Sequence, residues 1–177
     1  MRVYIPATLA MLQRLVADGL MHALSGTAFA VTPTLRESYA EGDDDELAEV
    51  ALREAAMASL RLMAGEGSGG QERSDPGNVS GALPPRRAVL VVEVEGATAR
   101  PDLDDAVVRL AGPIAIAEVI AAYVDNASAE PAVTAAVEVV DLADLGDEDA
   151  ELTVGDALDH DLAWYASQEL PFLLELL

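Results

Sequence analysis

The sequence predicts an α+β fold, with a single mixed β-sheet of about four to five strands and helices packed mainly on one face. Two patterns carry that expectation. AVLVVEVEG (88–96) is a nearly unbroken run of valine and leucine, as in a strand at the centre of a sheet. In DDDELAEVALREAAMASLRLMAG (43–65), Leu47, Val50, Ala51, Ala55, Ala58 and Leu62 form one stripe at helical spacing, with charges elsewhere.

The other elements follow in chain order. RVYIP (2–6) alternates polar and apolar residues up to a proline and reads as a strand. Thr8 is placed to cap a helix from Leu9 to Asp18, and Gly19 stands where a helix-terminating glycine is expected. TAFAVT (27–32) is a second strand. It leads into a short helix with Thr32 as cap, Pro33 in the first turn and Gly42 at the end. The carboxylates of EGDDDE (41–46) crowd the amino end of the long helix, where they meet unpaired N–H groups and the positive end of the dipole. They are consecutive, not alternating as calcium ligation requires. Gly65 is expected to end that helix.

Residues 65–87 are glycine, serine and proline with few large apolar side chains, which predicts a flexible insertion within one α+β domain spanning 1–177. DAVVRLAG (105–112) is expected to pair with the 88–96 strand. PIAIAEVIAAYVDNA (113–127) divides into a short helix and a strand at AAYVD. EPAVTAAVEVVDLA (130–143) reads as a helix opened by Pro131. DLGDEDAEL reads as an acidic loop, and a last helix is expected from Val154 or Ala157. VYIPATLAMLQRLVADG and VRLAGPIAIAEVIAAYVD share a strand–proline–helix order, a faint internal echo.

Net charge is −22, and all ten basic residues are arginine. After Arg109 come fifteen carboxylates and no lysine or arginine. Such a surface repels phosphate backbones and anionic bilayers, so neither nucleic acid nor membrane is an expected partner. A basic protein partner remains compatible. The chain has no cysteine, which removes disulfides, thiolate chemistry and Cys-ligated metals. The N-terminus has no unbroken signal-peptide core, and no apolar run reaches the roughly 20 residues of a membrane span, so a cytoplasmic location is expected.

DHDLAWYASQELPFLLELL (159–177) holds the only tryptophan, Trp164, and one of the two histidines, His160. On a helix, His160, Trp164 and Ser167 share a face, with Leu158, Leu162 and Tyr165 beside it. Asp159 and Asp161 point away from that face, so they do not orient the imidazole as a catalytic dyad would. Three readings stay open: Leu158, Leu162, Trp164 and Tyr165 as core contacts with His160 on the helix surface, a partner-docking face, or a catalytic or metal-binding His160. Pro171 is expected to break or kink the helix and leave FLLELL as an apolar tail. No H-E-x-x-H, G-x-S-x-G or phosphate-binding loop occurs, and neither cofactor nor metal is expected.

MRVYIPATLAMLQRLVADG, GTAFAVTPTLRESYAEGDDDELAEVALREAAMASLRLMA, RLAGPIAIAEV, DNASAEPAVTAAVEVVDLADLGDEDAEL and DHDLAWYASQEL together resemble the actinobacterial DUF6912 family of uncharacterised proteins. The resemblance spans most of the chain outside 65–87 and implies an actinobacterial cytosolic protein. It implies no activity and no catalytic residues.

The leading expectation is therefore a small acidic interaction or regulatory protein without catalytic activity. It would use Trp164, His160, Asp147, Glu148 and Asp149 toward a basic protein or a second copy of itself. The alternative is a metal-assisted or acid–base hydrolase using His160 with nearby carboxylates.

Overall fold

The computed structural model describes residues 1–23, 26–69 and 83–177. In chain order the elements are β1 (Arg2–Ala7), α1 (Leu9–Asp18), β2 (Leu20–Met21), β3 (Thr27–Phe29), α2 (Pro33–Ser38) and α3 (Asp44–Gly69). They continue with β4 (Ala88–Glu93), β5 (Thr98–Ala99), β6 (Val107–Arg109), β7 (Ile114–Ala115), β8 (Val119–Val124) and α4 (Glu130–Asp144). Last come α5 (Glu148–Leu158), β9 (Ala163–Ala166) and α6 (Leu170–Glu175).

Among the described residues the main sheet has seven strands in the order β5-β6-β3-β1-β4-β8-β9, and β2 pairs with β7 in a second, two-stranded sheet. Four or five strands were too few, because two- and three-residue strands give almost no periodic signal. The sheet is also not mixed: every pairing is antiparallel. The 107–109 strand pairs with β3 and β5, not with β4, whose neighbours are β1 and β8.

Helices cover both faces, a second departure from the expectation. Successive side chains of a strand point to opposite faces. In β1, Val3 and Ile5 therefore join Leu9, Leu12 and Leu15 of α1 and Leu170 and Leu173 of α6. Tyr4, with Val89 and Val91 of β4, packs under Leu35 of α2 and Leu47, Ala51 and Ala55 of α3. The far half of α3 meets α4 and α5 around Leu60, Val133, Val140 and Val154.

The caps explain the helix ends. Thr8 accepts from the Met11 N–H, and Gly19 closes α1 at φ 77. Thr32 accepts from the Leu35 N–H, but α2 stops at Ser38, well before Gly42. Asp43 and Glu46 form a reciprocal box, each carboxylate accepting the other's N–H. α3 runs through Gly65 to Gly69. An interior glycine costs a helix only about 1 kcal/mol. The Thr8 hydroxyl, donating to Glu66 at 2.8 Å, holds the next residue of that turn. Residues 70–82 of the expected insertion lie outside the described residues.

Candidate functional site

The segment from Asp144 to the C-terminus departs furthest from expectation, and one wall of the site lies there. DLGDEDAEL is not an open loop. Asp147 caps α5, accepting the Ala150 N–H at 2.9 Å, and Glu148 and Asp149 stand in the first turn. The helix ends at Leu158, and β9 follows where a terminal helix was expected. Pro171 starts α6 instead of breaking a helix, since a first-turn residue has no intrahelical N–H bond to lose. Leu170 and Leu173 are buried by this turn, while Phe172 and Leu176 remain exposed.

This arrangement divides the predicted residues. His160 and Asp147 lie at opposite ends of α5, roughly 16 Å apart along an eleven-residue helix. Trp164 is on β9, which has β8 on one side and, among the described residues, no strand on the other. It is 58% exposed, so the reading of Trp164 as a core contact fails; Leu158 is exposed as well. Ser167 sits in a short 3-10 turn after the strand, and the shared helical face of His160, Trp164 and Ser167 does not exist.

His160 is half-buried in the link between α5 and β9. It lines a groove of about 730 Å³ with Asp161, Leu158 and Leu162 on one wall and Glu49, Leu52, Arg53, Glu54 and Met57 of α3 on the other. Burial pushes the Glu54 carboxyl above its ordinary pKa; Asp104 repels its charge, and Arg61 partly offsets that. Arg61 is held by a two-pronged pair to Asp144 and Arg87 by one to Asp125, whereas Arg53 has no ion pair among the described residues. Three carboxylates, Glu49, Glu54 and Asp161, thus face a single arginine not engaged in such a pair.

The link is fixed from below. Arg87, 2% exposed, donates from Nε and Nη2 to the two oxygens of the fully buried Asp125, each at 2.8 Å. Its backbone N–H also donates to Asp125, and Nη2 donates to the His160 carbonyl at 2.8 Å. One buried guanidinium therefore joins the start of β4, the end of β8 and the residue that leads into β9. The sequence reading missed this pair.

His22 borders a different hollow with Met11, Arg14 and Glu66, so the two histidines do not line a common cavity. No cluster of three His, Cys, Asp or Glu placed to hold a metal occurs among the described residues. No helix among them is long and apolar enough to cross a membrane.

Three of the fifteen carboxylates after Arg109 meet cations from earlier in the chain: Glu130 with Arg86, Asp125 with Arg87 and Asp144 with Arg61. The others have no ion pair among the described residues.

Residues 1–174 match a family described as a family of unknown function, DUF6912. Neither the comparison with curated proteins nor that with solved structures returns a match.

Proposed function

We propose that this chain, which belongs to the DUF6912 family of unknown function, is an acidic interaction or regulatory protein that docks a basic protein partner without catalysing a reaction. The reading takes 1–177 as one domain. It rests on one observation: the only tryptophan stands exposed on a sheet edge, inside a region whose carboxylates far outnumber the arginines that reach it. An exposed indole beside a charged rim has the composition of an interaction centre. Desolvation makes it a source of affinity, while the surrounding charge speeds encounter and selects a cationic partner.

The test is calorimetric titration with a short oligo-arginine peptide at low and at physiological salt. Binding should weaken steeply with salt, and neutralising Asp147, Glu148 and Asp149 together to Asn, Gln and Asn should weaken it several-fold. Binding indifferent to both changes would end the reading.

The acid–base alternative draws support from His160 and Glu54 lining the same groove, with Glu54 held toward its protonated form. Loss of hydrolysis of a model ester in both His160→Ala and Glu54→Gln would favour it; equal rates in all three proteins would remove it.

A further inference from the structure

The free edge of β9 can be resolved to individual peptide groups. The Asp125 N–H donates to the Arg87 carbonyl at 3.2 Å, toward β4. Main-chain groups alternate in direction along a strand, so Tyr123 and Ala121 also turn toward β4, while Val124 and Ala122 turn toward β9. Their partners across β9 are Ala163 and Tyr165. Trp164 and Ala166 consequently turn their N–H and C=O groups outward, away from the sheet.

A second contact agrees with this independently. The Ala166 N–H donates to the Glu169 carboxylate at 2.9 Å, which it could not do if it bonded to β8. Glu169 thereby closes one end of the edge. What stays open is the Trp164 N–H and carbonyl, for which no partner appears among the described residues.

From this geometry we infer that β9 accepts an eighth strand, an extended basic segment of a partner protein, paired through the Trp164 N–H and C=O. The inference deepens the proposed function and rests on it. Strand addition of this kind takes affinity from main-chain hydrogen bonds and selectivity from the side chains on either face.

Charge decides the occupant. Asp159 and Asp161 lie just before β9 and Glu169 just after it. If two copies paired antiparallel about Trp164, Asp159 of each would stand opposite Glu169 of the other, and two chains of net charge −22 would be brought together. A segment carrying arginine or lysine replaces that repulsion with attraction. The residue directly opposite Trp164 extends from the same face as the indole. A cation there lies against an aromatic face, the arrangement that favours arginine or lysine. Tyr123, directly across from Trp164 on β8, belongs to a pair without mutual hydrogen bonds, the kind in which side chains on one face lie closest.

The probe is a short blocked peptide alternating arginine and valine, titrated against the full chain. Fluorescence of Trp164, the sole tryptophan, and hydrogen exchange of its amide are the readouts. Two further peptides carry N-methyl groups on alternate amides, in one frame or the other, leaving charge unchanged. Strand addition predicts that one frame weakens binding by about tenfold while the other stays within about twofold, with slower exchange at the Trp164 amide. Trp164→Phe, which keeps the main chain intact, should retain the frame dependence by calorimetry.

Equal binding in both frames overturns strand addition. If that binding is also salt-sensitive and lost on neutralising Asp147, Glu148 and Asp149, the basic-partner reading survives without it. No response at millimolar peptide overturns the inference, and the oligo-arginine titration then decides the broader reading alone. A dimer in light scattering with a protected Trp164 amide in the absence of peptide assigns the edge to a second copy and overturns it too.

Discussion

β4 and β9 belong to the same sheet and are both rich in apolar residues, yet their surroundings are opposite. β4 is paired on both sides, and every residue from Ala88 to Val92 is buried. β9 is paired on one side, and its largest side chain faces solvent. The central strand is specified by burial on two faces and belongs to stability. The marginal strand retains an edge unpaired among the described residues and an exposed indole, features that an isolated monomer does not need. Arg87 bridges the two regions: it opens the β4 side and holds the approach to β9 through the His160 carbonyl.

The largest effect should come from breaking that bridge. Arg87→Ala leaves the Asp125 carboxylate buried without its partner, and Asp125→Ala leaves the guanidinium likewise. Each should cost about 3–5 kcal/mol in denaturant unfolding, because an orphaned buried charge is far more expensive than the pair is favourable. A loss below about 1 kcal/mol would mean that water reaches the pair, and the bridge would lose its structural weight.

Next comes the centre of the sheet. Leu90→Ala removes a fully buried side chain of β4 and should cost about 3 kcal/mol, the usual range for a core leucine. Trp164→Ala deletes a larger but exposed side chain and should cost about 1 kcal/mol or less, the range of a cross-strand pair such as its register with Tyr123. Circular dichroism melts of the two variants measure the difference. If Trp164→Ala destabilised as much as Leu90→Ala, Trp164 would belong with the core and the contrast between the strands would collapse.

The two regions were also unequally legible from the amino-acid order. α1, α2 and α4 were readable because their signals are local: Thr8 with Gly19, Thr32 with Pro33, and Pro131 at the head of an apolar stripe. β4 announced itself by the unbroken apolar run Val89–Val92. β9 has four residues, too few for a period, and the spacing of His160, Trp164 and Ser167 imitates a helix face. What makes it a strand is the register of Ala163–Ala166 against Ala121–Val124, a contact across about forty residues that no local pattern encodes.

The site was legible in the same uneven way. Trp164 and His160 stood out by rarity. The α3 wall of the groove did not, because its polar residues looked like an ordinary solvent face. The Arg87–Asp125 pair had a faint signal: an arginine directly before β4 and a lone carboxylate directly after β8 flank the corresponding ends of the two most apolar strands. Burial at those ends is costly unless the two charges meet.

The smallest effects concern the surface charges of the groove and depend on pH in opposite senses. Asp144 and Glu54 both neighbour Arg61. The Arg61 hydrogen bond holds the Asp144 carboxyl below its ordinary value, whereas burial, with repulsion by Asp104, lifts that of Glu54. A lowered folded pKa contributes stability above the ordinary carboxylate value that is lost as pH falls through the folded value. A raised one contributes stability in acid that is lost as pH rises through the folded value. Asp144→Asn should thus be less stable than the parent at neutral pH, by about 0.5 kcal/mol for a solvent-exposed pair, and should converge with it in acid. Glu54→Gln should be the more stable protein at neutral pH and should also converge with the parent in acid. Taking differences against the parent cancels the self-repulsion of a chain of net charge −22, which otherwise dominates any pH series. Unfolding curves of the three proteins at several pH values check both signs: a pH-independent difference for Asp144→Asn would mean that Arg61 does not stabilise the charged form of the Asp144 carboxyl.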